Sequence, residues 1–110
     1  MLKIGLIPFV SELHDPKSLE TAHSYIINGL REHFDVRIIS LDQQGTVDLC
    51  MAFITSGGVE NIFQKDAPSL PDNIPLLADG LHNSLAAALE IHTWLKEQGK
   101  HSEILHGSTD

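Results

Sequence analysis

Residues 47–55, VDLCMAFIT, form the most apolar run of the chain and stop at the turn Ser56, Gly57, Gly58. A run this short and continuous reads as a β-strand buried on both faces, and such a strand stays dry only in a sheet covered on each side. Residues 2–9 repeat the pattern, broken by Lys3 and Gly5 and closed around Pro8, so a buried strand also opens the chain. Two strands of this kind point to an α/β domain.

The segments between and after them alternate in the same sense. Asp15 followed by Pro16 is an N-cap with proline at the first helical position. Leu19, Ala22, Ile26, Ile27 and Leu30 then recur at three- and four-residue steps, which predicts one amphipathic helix ending near His33. Residues 34–41 read as an edge strand with one wetter face, and 42–45 as a turn. A short helix is expected over 59–65, after which Pro68, Pro71 and Pro75 exclude helix. Residues 74–79 (IPLLAD) are a fourth strand. The helix over 84–98 has Leu85, Ala88, Leu89, Ile91 or His92, and Leu95 as its expected inward face, Asn83 or Ser84 as its cap, and Gly99 at the C′ position. Residues 101–106 are the fifth strand.

Strands alternating with helices through short connections predict an open parallel five-stranded doubly wound sheet, flavodoxin-like with order 2-1-3-4-5, in three α/β/α layers; half of a Rossmann sheet is the alternative. The 110 residues suit a single domain. No closing helix follows the fifth strand, which leaves a sheet face for another domain, a partner subunit or a continuation to cover. The expectation is therefore the N-terminal domain of a longer chain.

Seven Lys and Arg against fifteen Asp and Glu give a net charge of −8. Such a chain repels a phosphate backbone or an anionic bilayer, so nucleic acid and membrane are not expected partners. No apolar stretch approaches the roughly 18 residues that span a bilayer, and the opening segment lacks the features of a secretory signal. A lone cysteine, Cys50, excludes an internal disulfide and points to a cytoplasmic protein.

In open parallel sheets ligands bind beyond the carboxyl ends of the strands, where the winding reverses, here between strands one and three. Two segments are placed together there, residues 9–15 with Glu12, His14 and Asp15, and residues 55–60 with Ser56, Gly57, Gly58 and Glu60; residues 79–84, with His82 and Asn83, are next door after strand four. The glycines can turn backbone N–H groups toward an anion or a hydroxyl, or simply make the strand-to-helix turn, with Gly57 the residue expected at positive φ. Asp15 alone has a plain role as a helix cap, and His14 and His82 read equally well as solvent-facing. His23, His33, His92 and His101 read as helix surface or element ends. Neither a Walker A loop nor GxGxxG is present, and no spacing demands a metal. Cys50 reads as a small buried hydrophobe, Trp94 as core, and Asp48 stands at the wrong end of its strand for a phosphoacceptor. No catalytic residue is assigned.

Residues 53–63 (FITSGGVENIF) and 76–99 (LLADGLHNSLAAALEIHTWLKEQG) resemble the N-terminal domain of the L-fucose and L-arabinose isomerase family, particularly its fucose-isomerase-like members. Ser56, Gly57, Gly58 and Glu60 match a T-G-G-x-E-like turn, with Ser56 in place of threonine or a similar residue. Asn83, Ser84, Leu85, Ala87, Ala88, Leu89 and Glu90 match N-S-L-x-A-A-L-E. The likeness rests on these two segments, about a third of the chain, with the rest matching only in the order of elements.

It implies an aldose–ketose isomerase whose manganese or other divalent cation and proton-moving carboxylates lie in later domains, with no cofactor in this one. For this domain it implies subunit packing in a homo-oligomer and the rim of a carbohydrate site. Glu12, His14, Ser56, Gly57, Gly58, Glu60, His82 and Asn83 would be substrate-contacting or loop-shaping. Two other readings stand beside it: a stand-alone module binding a small molecule or anion, and a purely structural oligomerisation domain.

Overall fold

The computed structural model describes residues 1–10, 15–80 and 83–106. Five parallel strands form one sheet in the order β2-β1-β3-β4-β5: β1 Lys3–Phe9, β2 Asp35–Ile38, β3 Leu49–Ile54, β4 Leu76–Ala78 and β5 Ile104–His106. This is the open flavodoxin-like order expected from the alternation of elements. The long central pair sets the register, with Ile4 opposite Leu49 and Phe9 opposite Ile54. As their compositions require, β1 and β3 are buried along most of their length, while β2 at the edge keeps Arg37 exposed.

Side chains alternate across the sheet and build two apolar layers. On one face Ile4, Leu6, Met51, Phe53 and Leu77 pack with Ile26 and Ile27 of α2 (Ser24–Arg31). On the other, Ile7, Phe9, Ala52, Ile54, Leu76 and Ala78 pack against α3 (Glu60–Asp66) and α4 (Ser84–Glu97). Trp94 is half-buried and meets Phe63 edge-on, ring centres 6.4 Å apart. Cys50 is a buried free thiol.

Three local expectations need correction. The single helix predicted to run to His33 is two, α1 (Pro16–Ala22) and α2, broken at His23, whose φ of −116° and ψ of 28° leave the helical region. The His23 ring is turned into the protein, and this inward turn accompanies the break. Residues 41–46 are a 3-10 helix rather than a turn and a strand extension. The inward stripe of α4 is Ser84, Ala87, Ala88, Ile91 and Leu95. Leu85 and Leu89, expected inside, are 40% and 51% exposed. Small residues on the stripe let the helix axis approach the sheet, and the leucines are rotated outward.

The ends of the helices follow their sequence signals more closely. Asp15 caps α1, its Oδ1 accepting the Ser18 N–H at 2.8 Å. That hydrogen bond, and then one donated by the Ser18 hydroxyl to Oδ2 at 3.0 Å, hold the Asp15 carboxyl below its ordinary range. Gly99, at φ 76°, closes α4 with the N–H of Lys100 on the Leu95 carbonyl and its own N–H on that of Lys96, a Schellman arrangement. Asp48, at the amino end of β3, accepts the Lys3 N–H at 2.8 Å.

Where α2 stops short of β5, a groove of about 310 Å³ opens on the sheet, lined by Tyr25, Ile26, Leu30, Met51, Leu77 and Leu105. Leu105 is 42% exposed there.

Candidate functional site

The carboxyl edge of the sheet brings the ends of β3 and β4 side by side. Ile54 pairs with Ala78, and the N–H of Asp79 donates to the Ile54 carbonyl at 3.1 Å, so the two following loops leave from adjacent points. After β3, Thr55 is buried, Ser56 and Gly57 are half-buried and Gly58 is exposed. Gly58, at φ 75°, takes the positive φ that was expected at Gly57. Val59 turns fully inward and makes no side-chain cap; half-buried Glu60 then begins α3.

After β4 the chain turns at Gly80, φ 84°, and reaches Asn83 in the left-handed region at φ 61° and ψ 19°. Asparagine is among the few non-glycine residues that occupy that region readily. Its side chain does not cap α4, contrary to expectation. Ser84 does not act as the cap either: its buried hydroxyl accepts the Gly80 N–H at 3.1 Å. Asn83 instead stands over the first turn, its Cβ 3.5 Å from where a Cβ on Gly57 would lie. Of the three expected segments, these two therefore meet. Glu12, His14 and His82 lie outside the described residues.

Beneath the loops sits a buried polar group that joins Asp79, from the third expected segment, to His23, which reads from the sequence as helix surface or an element end, and to Tyr25. His23 Nδ1 stands 3.1 Å from Asp79 Oδ2, with the Asp79 side chain fully buried and that of His23 11% exposed. The His23 ring meets Phe53 edge-on at 5.4 Å. Tyr25 donates its phenolic hydrogen to the Asp79 carbonyl at 2.6 Å. Burial first, and the Asp79 charge second, push the Tyr25 phenol above its ordinary value, which keeps it a donor. The imidazole thus turns its Nδ1 edge to the Asp79 carboxylate and its ring to Phe53. A signal for this existed: Leu19, His23, Ile26 and Leu30 share one helical stripe, and Asp79 ends an apolar strand where the sheet's ligands usually bind.

A second concavity, about 430 Å³, lies at the carboxyl ends of β1 and β2, lined mostly by apolar groups including Phe9, Leu19 and Ile39, with Gln43 and Asp66 at its polar margin. Among the described residues no three of His, Cys, Asp or Glu come together as a metal cluster, and no helix is long and apolar enough to cross a membrane. No family model, curated protein or solved structure matches the chain.

Proposed function

We propose that the chain is the N-terminal sheet domain of a sugar isomerase-like protein, packing subunits and forming the rim of a carbohydrate site without turning over substrate itself. The observation that carries this reading is the approach of Asn83 to Gly57, since each belongs to one of the two motifs that bear the resemblance. An Asn amide both donates and accepts, as a sugar hydroxyl does, and the Asn83 side chain is not spent on capping α4. Ser56 and Glu60 extend the polar rim on the other loop. The half-exposed Leu105 beside its groove supports the packing part of the reading, because apolar sheet surface is what a neighbouring subunit covers.

Among the described residues no cluster fits a divalent cation. The contribution of these residues is to bind and orient hydroxyl groups. Calorimetric titration with L-fucose and other aldoses tests this. Binding is expected, and Asn83→Ala should weaken it about fivefold, the scale of one hydrogen bond. Binding of inorganic phosphate but no aldose would favour an anion-binding module instead. A stable oligomer that binds neither would favour the structural reading.

A further inference from the structure

The Asp79 backbone and side chain are held by three different parts of the fold. Its N–H donates to Ile54 of β3, its carbonyl accepts the Tyr25 hydroxyl from α2, and its carboxylate meets His23 at the break between α1 and α2. The next residue, Gly80, donates its N–H to Ser84 at the start of α4. The loop between therefore has both ends fixed, and Asn83 at its far end takes a backbone conformation that favours only a few residue types.

We propose that Tyr25 and His23 are positioning residues for this loop: through the carbonyl and carboxylate of Asp79 they set where Asn83 stands over Gly57, and so set the affinity of the rim for a polyhydroxylated ligand. The affinity part rests on the function proposed above, whereas the placement part does not. The two residues do not touch the rim themselves. His23 immediately precedes α2 and Tyr25 is the second residue of its first turn, which makes the helix break the element that couples α1 and α2 to the β4–α4 loop.

The chemistry of the two ties differs, and this gives separate handles on them. The Tyr25 tie is one neutral donor on a backbone carbonyl; Tyr25→Phe deletes it and leaves the ring in place. The His23 tie joins an imidazole to a buried carboxylate; His23→Gln keeps a donor but loses the ring that packs on Phe53.

The test is amide NMR of the whole 110-residue chain, wild type against Tyr25→Phe, with and without L-fucose, alongside thermal melts. Without ligand, the amides of Gly80, Asn83, Ser84 and Gly57 are expected to move, while Val36 and Gln44, remote from Asp79, stay fixed. With L-fucose, affinity should fall about fivefold while the melting temperature changes little. His23→Gln should move the same amides; if it fails to fold, Tyr25→Phe decides alone. Unmoved loop amides in Tyr25→Phe overturn the proposal whether or not sugar binds. Moved amides with unaltered L-fucose affinity overturn the link to binding. If wild type binds no aldose, the proposed function fails, and the ligand-free spectra still decide whether Tyr25 and His23 position the loop.

Discussion

Nδ1 of His23 stands 3.1 Å from Oδ2 of Asp79, a buried pairing that ties the break between α1 and α2 to the end of β4. Removing one member of a buried polar pair leaves the other desolvated with less to meet it, which costs more than the pair contributes when intact. Asp79→Ala is expected to lower stability on the order of 3 kcal/mol, measured as a shift of the urea midpoint at constant slope. An unchanged midpoint would mean that the pair does not hold the two elements together.

The two glycines of the β3–α3 turn should respond unequally to alanine. Gly58 lies at φ 75°, where an L side chain is strained, so Gly58→Ala should cost about 1 kcal/mol. A Cβ on Gly57 would sit at ordinary contact distance from Asn83, so Gly57→Ala should leave the melting temperature close to wild type. The larger Gly57→Val should displace Asn83, visible at its amide. Equal losses for the two alanine variants would contradict this assignment of the turn.

The orientation of α4 gives a third contrast. Ile91 is fully buried between helix and sheet, whereas Leu89 is half exposed. Truncating Ile91 to Ala should cost about 2–4 kcal/mol, and the same change at Leu89 under about 0.5 kcal/mol. Chemical denaturation of the two variants checks this directly, and a larger loss at Leu89 than at Ile91 would contradict this rotation of α4.

Burial pushes the Cys50 thiol above its ordinary value, so at neutral pH it is almost wholly protonated as well as sheltered. Reaction with a thiol-specific disulfide reagent should be slower in the native chain than in urea on the order of tenfold or more. Rapid native labelling would show that β3 is not covered on that face.

The sheet order was legible because strand and helix periods differ, and because the buried central strands need cover on both faces. The central runs around Leu6 and Ala52, the cap at Asp15 and the glycine at Gly99 each carry a local signal strong enough to place an element. What escaped depended on tertiary contact. Whether Leu85 and Leu89 share the inward face with Ile91 and Leu95 turns on a rotation of α4 that small residues on its stripe permit, and three- and four-residue spacing alone does not decide it. His23 looked like an element end, which it is, but its burial requires Asp79 to lie opposite across the sheet edge. At the candidate site the sequence indicated that the loop after β4 lies beside the turn after β3. It did not indicate that Asn83 forgoes its capping role, because capping propensity describes the helix and not the neighbouring turn.

The central claim is that the loops carrying Gly57 and Asn83 form the rim of a carbohydrate site. Amide shift mapping during an L-fucose titration tests it most directly. The account predicts saturable movement of the amides of residues 56–60 and of Asn83, with β2 amides such as Val36 and Arg37 unaffected. A titration in which those loop amides stay fixed up to high sugar concentration, or in which shifts appear only at the β1–β2 groove, would contradict it.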